Sequence, residues 1–345
     1  MTAGRATPVR VVVADDSATA RGLLVGLCER DPGITVVGVA ADGQQAVELT
    51  LRLGPSLVLM DVHMPVLNGV EATKQIMRDR PTPIIMITAG TSPSDVEAGL
   101  SALRFGALTV LPKPVAPGVE GFEAAWTRVI SLVKALADVK VIRRRDHSSA
   151  PSTRRPEGEP AILAIAASTG GPPALCQLLQ RLPADLPVPV VAVQHIVEGF
   201  LPGLIAWLRA EVPFHVAEAA PGQLLEPGTV YLAADGRHLE VDAGLRARLT
   251  DADPIAGFRP SASVLFTSLA RNLAPAVIAV VLTGMGQDGL EGARRLRAAG
   301  ARILAQDEAT SVVYGMPKVV AEAGLVHLQG PIDKLAADIA AVWRK

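Results

Sequence analysis

The 345-residue chain balances 33 Lys and Arg against 34 Asp and Glu, for a formal net charge of −1, and is 49% apolar with only 3% aromatic residues. That balance lends no support to a nucleic-acid binder, and no apolar run approaches the ~20 residues that a membrane span needs. Cys28 and Cys176 lie far apart, in neither a metal-knuckle nor a disulfide spacing, which predicts a soluble protein of a reducing cytoplasm, long enough for two domains with a core each.

The opening MTAGRATPVR has no apolar stretch of the kind a secretion signal carries. Val9–Ala14 then reads as a buried strand ending at Asp15-Asp16, with Ser17 as N-cap of a helix through Arg30. Thr35–Ala40 is a second strand, followed by a helix over Gly43–Leu53. Leu57–Met60 is a third, ending at Asp61, and the loop HMPVLNG leads into a helix over Val70–Arg78. Ile84–Ile87 ends at Thr88, and Ser92-Pro93 caps a helix to about Phe105. Leu108–Leu111 ends at Pro112-Lys113-Pro114. Strands alternating with helices predict a doubly wound α/β domain with a five-stranded parallel, flavodoxin-like sheet, whose functional groups gather at the carboxyl ends of the strands.

Asp15, Asp16, Asp61, Thr88 and Lys113 all fall at such ends. Each aspartate alone is as well explained as a helix cap or solvated turn. Together, three converging carboxylates repel unless a hard divalent cation, with Mg²⁺ the natural candidate, and a lysine neutralise them. Through ADDS, DVHMPVLNG, ITA and PKP, residues 8–116 resemble the response-regulator receiver family. The resemblance implies that Asp61 accepts a phosphoryl group from a histidine kinase. It also implies that Asp15, Asp16 and Asp61 hold Mg²⁺ with the main-chain carbonyl of His63, and that Thr88 and Lys113 contact the phosphoryl oxygens. Val110 stands where that family usually carries Phe or Tyr, the residue of its aromatic switch.

A helix over Phe122–Lys140 closes this half, with domain bounds of 8–125 and a helix-plus-linker over 126–160. Arg143–Pro160 is rich in Arg, Ser, Pro and charge without apolar periodicity, the composition of a flexible linker. Asp146, Glu157, Glu159 and the lack of aromatics weaken a nucleic-acid patch there.

The second domain, 161–345, opens with an apolar strand, Ala161–Ala166, that runs into AST and Gly170-Gly171 before a helix over Pro172–Leu182. Ser168 in such a turn sits among converging backbone N–H groups at the positive end of a helix, a position that suits a nucleophile. A phosphate-cradling loop or a plain glycine-rich turn explains this stretch at least as well taken alone, and it is neither G-x-S-x-G nor a P-loop. Val188–Val193 is a strand ending at Gln194-His195-Ile196, with a helix over Phe200–Val212. Gly228–Leu249 alternates with period two and predicts an antiparallel hairpin or three-stranded ribbon. A helix over Arg259–Asn272 precedes the strand Ala276–Leu282, which ends in TGMGQDG. A helix over Leu290–Ala299, a strand over Ala301–Gln306 and helices over Met316–Ala323 and Ile332–Arg344 complete a larger, mostly parallel, Rossmann-like domain.

If that sheet is parallel, Ser168, His195 and Asp288 share one rim and a Ser–His–Asp relay becomes possible. His195 alone reads as a satisfied core histidine, and His238, His215 and His327 compete with it. ASTGG, AVQHI, ADGRHLEV, RPS, VVLTGMGQDG and LAQDEATSVVYGMP, with their spacing, resemble the catalytic domain of the chemotaxis protein-glutamate methylesterase (CheB) family over about 161–345. The resemblance implies Ser168 as nucleophile, His195 as general base and then acid, Asp288 as its orienting carboxylate, and Thr169 and Met285 at the oxyanion site. Departures are mild: AAS for GAS, QDG for NDG, and Phe258 and Ser263 where His and Asp are frequent. The expected protein is a cytoplasmic, monomeric, phosphorylation-activated esterase of a two-component chemosensory system. It would act on glutamyl methyl esters of chemoreceptors, with glutamine deamidation as a second activity, Mg²⁺ in the receiver and no cofactor in the esterase domain. The alternative is a response regulator with a non-catalytic or nucleotide-binding output domain.

Overall fold

The computed structural model describes residues 8–114, 119, 122–137, 139 and 161–343, and the chain divides into two compact units, Met1–Arg144 and Arg145–Lys345. The linker expected over 143–160 lies outside the described residues, as do Lys140 and Arg344.

In the first unit, β1 (Val9–Ala14), β2 (Ile34–Ala40), β3 (Leu57–Asp61), β4 (Ile84–Thr88) and β5 (Thr109–Pro112) form one parallel sheet in the order β2-β1-β3-β4-β5. β3 and β4 are buried along their whole length. A parallel strand covered on both faces by helices must be apolar throughout, which is what those runs supply. The helices Ala18–Glu29, Gly43–Leu53, Gly69–Asp79 and Pro93–Arg104 start at Ser17, Asp42, Asn68 and Ser92. Each of these side chains accepts a hydrogen bond from a first-turn N–H. The helix Phe122–Ala137 is the last described element of the unit. Register then sets the rim: Ala14 faces Met60, Asp61 faces Ile87 and Thr88 faces Pro112, so Asp15, Asp61, Thr88 and Lys113 emerge side by side.

The second unit holds β6 (Ile162–Ala167), β7 (Val190–Gln194), β8 (His215–Glu218), β9 (Thr229–Leu232), β10 (His238–Val241), β11 (Ala247–Thr250), β12 (Val277–Val281), β13 (Arg302–Gln306) and β14 (Leu328–Gly330). Seven of them make an all-parallel sheet, β14-β13-β12-β6-β7-β9-β8, and β10 and β11 form a separate antiparallel pair. The expected ribbon is thus a hairpin only. Thr229–Leu232 leaves it to pair in parallel with β7 and β8, because Val230, Tyr231 and Leu232 are buried, as an internal strand of a covered sheet requires. The helix expected from Arg259 starts at Ala262, where Ser261 caps it.

β6 is central, buried at every residue, and flanked by β12 and β7. The chain winds outward from β6 through β7 on one side and through β12 and β13 on the other. The crevice above the carboxyl end of β6 is therefore the switch point at which such sheets bind ligands.

Candidate functional site

In the first unit, Asp15 and Asp61 are buried and Asp16 is exposed, and one oxygen of each lies within 4.8 Å of the others. Lys113 Nζ stands 2.9 Å from both Asp61 Oδ2 and Asp15 Oδ2, but only Asp61 receives it in hydrogen-bond geometry, and buried Asp15 Oδ2 keeps no donor. Asp61 Oδ1 accepts from its neighbour's N–H, Val62, at 2.8 Å. Burial pushes the Asp61 carboxyl up; Lys113 opposes this, the charge of Asp15 adds to it, and the net result is upward. Burial pulls the Lys113 ammonium down, but its two carboxylate partners outweigh that and hold it above its ordinary value. An excess of carboxylate oxygen, one of them without a donor, is compatible with a hard divalent cation such as Mg²⁺. Thr88 is buried at the end of β4, and its hydroxyl donates to the Gly90 carbonyl at 3.1 Å. His63 follows β3, and its imidazole Nε2 lies 2.7 Å from Asp95 Oδ1. Val110 is buried within β5.

In the second unit, Ser168, His195 and Asp288 follow β6, β7 and β12. The His195 N–H donates to Ala167 O at 3.0 Å and the Ser168 N–H to Thr283 O at 3.1 Å, so nucleophile and histidine extend two hydrogen-bonded neighbouring strands. The chain then turns sharply through Gly170, φ 73°, into the helix Gly171–Arg181. Any Cβ at Gly170 would lie 2.4 Å from Val312 Cβ, so glycine is required by both conformation and space. The TGMG loop after β12 comes equally close: a Cβ on Gly284 would stand 2.8 Å from Ser168 Cβ. That approach brings Met285, half-buried, next to the serine. The N–H groups of Thr169 and Met285 find no acceptor among the described residues.

His195 Nε2 is 2.9 Å from Asp288 Oδ2 in a buried pair. Burial alone would raise the Asp288 carboxyl, but hydrogen bonds and charge from His195, with Ser261 and the Ala262 N–H, hold it well below the usual carboxylate range. The ionised carboxylate accepts only, so the imidazole proton sits on Nε2. Nδ1, buried and without a protein partner, is left with its lone pair. Asp288 in turn is gripped by the start of the helix Ala262–Asn272. Ser261 Oγ donates to Oδ1 at 2.7 Å, Ala262 N–H to Oδ2 at 2.7 Å, and Ser263 and Gly289 N–H to Oδ1 at 3.1 and 2.9 Å. A helix N-terminus is a natural seat for a buried anion.

The competing histidines are otherwise engaged. His238 Nδ1 accepts the Ser261 N–H and Nε2 meets Asp253 O, each at 3.1 Å, so both ring nitrogens serve the turn that holds Asp288. His327 Nδ1 accepts from Ile303 N–H, and His215 is an exposed residue of the edge strand β8. Two residues of this site escape a reading of the sequence. Gln194 Nε2 donates to the carbonyls of both Ser168 and His195 at 2.8 Å, pinning the two loops together. Ser261 is the other. Its only advance signal is a place in RPS ahead of a helix.

The CheB methylesterase family model matches residues 163–339 and the response regulator receiver domain model residues 11–119. The chain is 50% identical to "Protein-glutamate methylesterase/protein-glutamine glutaminase 4" of Myxococcus xanthus, over 98% of both chains. It is 45% identical to the corresponding enzyme 3 of Anaeromyxobacter dehalogenans, over 97% of this chain and 99% of that one. The solved catalytic domain of the Thermotoga maritima CheB methylesterase superposes with a TM-score of 0.52 at 34% identity, covering 54% of this chain and all of that one.

Proposed function

The chain belongs to the CheB methylesterase family and is a protein-glutamate methylesterase with a receiver domain; we propose that Ser168, His195 and Asp288 carry its chemistry on chemoreceptor substrates. Ser168 Oγ attacks the ester carbonyl of a γ-glutamyl methyl ester while its proton passes to His195 Nδ1. Asp288 stabilises the imidazolium through Nε2–H. The N–H groups of Thr169 and Met285 receive the negative oxygen of the tetrahedral intermediate. Collapse breaks the bond to methoxide, which leaves as methanol with the proton from His195, and a γ-glutamyl ester of Ser168 remains. Water, deprotonated by the same Nδ1, then releases the free glutamate carboxylate and restores the serine. The same sequence on a glutamine side chain expels ammonia, which gives the glutaminase activity.

In the receiver unit, Asp61 accepts a phosphoryl group from a chemosensory histidine kinase, with Thr88 and Lys113 on the phosphoryl oxygens. Asp15, Asp16, Asp61 and the His63 carbonyl would hold Mg²⁺, which neutralises the charge that gathers during transfer. The receiver, 8–125, restrains the esterase domain, 161–345, until phosphorylated, across the segment 126–160. Among the described residues no helix is long and apolar enough to cross a membrane.

The observation that carries this reading is the buried His195–Asp288 pair beside Ser168, with Nδ1 left for the serine. Ser168→Ala and His195→Ala should each abolish methanol release from methyl-labelled receptor, while His238→Ala retains measurable turnover. An active Ser168→Ala enzyme, or loss in His238→Ala with an active His195→Ala, sinks the assignment.

A further inference from the structure

The imidazole of His195 has a second contact beyond its carboxylate. The ring of Phe258 lies parallel to it, centroids 4.1 Å apart and planes 9° apart. Phe258 is delivered by a tight two-residue hairpin. Ile255 and Phe258 exchange both backbone hydrogen bonds, at 3.1 and 3.0 Å, across Ala256 (φ 50°) and Gly257 (φ 83°), the geometry of a type I′ turn. Ala256 is a non-glycine residue in the left-handed region, and such strain persists where surrounding structure imposes it. Arg259 Nη1 ties the far side of the hairpin to the carbonyls of Asp251 and Ala252. The chain then runs through Pro260 to Ser261, Ala262 and Ser263, the residues that grip Asp288. One continuous segment therefore fixes the edge of the imidazole through Asp288 and its face through Phe258.

Resting on the triad reading above, we propose that Phe258 is a positioning residue for His195: its ring fixes the plane in which Nδ1 meets Ser168 and stabilises the imidazolium formed on proton transfer. The argument is geometric. A single hydrogen bond through Nε2 leaves the ring free to swing about that bond, and the swing would carry Nδ1 away from the serine. A parallel aromatic face 4.1 Å away blocks the swing. Once Nδ1 takes the serine proton, the charge lies over the negative face of a π-system in a buried site, where such contacts are strongest. Leucine at this position would keep the apolar cover and lose both the flat face and its quadrupole. Tyrosine would keep both.

The test uses the full chain, activated with a small phosphodonor, and compares Phe258→Leu, Phe258→Tyr and Ser168→Ala on methyl-labelled receptor. Phe258→Leu should lose about five- to thirtyfold in kcat, the span between an exposed and a desolvated cation–π contact for a half-buried ring, with KM within about twofold. Phe258→Tyr should keep at least half of kcat. In histidine-labelled protein the His195 Cε1–H resonance, assigned with His195→Gln, should move downfield in Phe258→Leu as the ring current above it is lost, and stay in place in Phe258→Tyr. Wild-type kcat in Phe258→Leu, equal losses in the Leu and Tyr variants, or a loss confined to KM each overturn the proposal. Activity in Ser168→Ala would instead overturn the triad reading itself, so the two failures are told apart.

Discussion

Replacing Asp288 with Asn isolates what the buried carboxylate does. Its two oxygens accept five hydrogen bonds, three on Oδ1 and two on Oδ2. An amide has one oxygen. If that oxygen takes the Oδ1 place, the Ala262 N–H is left facing an NH₂ at the distance of the present 2.7 Å bond. The opposite orientation turns the NH₂ toward two backbone N–H groups, Ser263 at 3.1 Å and Gly289 at 2.9 Å; each keeps a serine hydroxyl as a second acceptor, but two donors facing an NH₂ repel more than one, so the first is preferred. One stranded buried donor costs about 1–3 kcal/mol, and losing a charge at the start of the helix Ala262–Asn272 adds roughly 0.3–2 kcal/mol. The sum, about 1–5 kcal/mol, should lower the Tm of the esterase domain by roughly 3–20 °C. Catalysis should fall further than stability. The Asn NH₂ must donate to Nε2, which forces the imidazole proton onto Nδ1 and removes the lone pair that would take the serine proton. A kcat loss on the order of 10³–10⁴-fold follows. Because the folded protein holds this carboxyl below its unfolded value of about 3.9, the Asp288 contribution is complete above about pH 4 and fades as pH falls below it. The stability gap between wild type and Asp288→Asn should therefore close in acid. Calorimetry from pH 7 down to pH 3, with methanol release at pH 7, reads all three quantities. Unchanged Tm together with a kcat within tenfold of wild type would refute the reasoning.

Gly284→Ala places a Cβ 2.8 Å from Ser168 Cβ and 2.5 Å from Met316 Sδ. The thioether can move and the serine backbone cannot, so kcat should drop about 10²-fold, as for a displacement of about 1 Å, while circular dichroism stays native; an active variant would mean that the loop yields freely. Asp61→Asn removes the partner of Lys113 and should take up no phosphoryl group by mass spectrometry, leaving esterase activity identical with and without phosphodonor. Activation of that variant would exclude Asp61 as the acceptor. A fragment beginning near Pro160 should demethylate receptor faster than the unphosphorylated full chain in initial-rate assays, and equal rates would remove the receiver as an inhibitor. With Val110 at the usual aromatic position, the phosphodonor-treated full chain should reach only part of the fragment's rate.

The sequence was most readable where apolar runs stop at a polar residue. β3, β6, β7 and β12, and β1 from Val11 onward, are covered on both faces, so each is a continuous apolar segment, and the residue that ends it is the one on the rim. β8 and β14 carry no such mark: HVAE and LQG are short edge strands with exposed residues, and no apolar run sets them off. β9 is hard to separate from the hairpin because its three buried residues show no periodicity of their own. The grip on Asp288 was invisible for a different reason: Ser261 lies 27 positions away, and only the closing of the helix Ala262–Asn272 against the end of β12 brings it there. His238 illustrates the converse. A histidine in a motif-rich stretch looked like a candidate base, yet its two nitrogens are spent on backbone groups.

The parallel topology also fixes an order of events during synthesis. β6 pairs on one side with β7, a few tens of residues later, but on the other side Ile162 pairs with Val277, 115 positions later. At translation rates of about 5–20 residues per second, that second edge stays open for roughly 6–23 s after β6 emerges. Throughout that interval a wholly apolar strand has an unpaired side, while all five strands of the receiver sheet are already made. The loop that presses Gly284 against Ser168, and the carboxylate for His195, arrive more than a hundred residues after β6. A nascent enzyme therefore carries its receiver sheet finished while its active site still lacks a carboxylate, and it cannot demethylate a receptor until that later loop has been made.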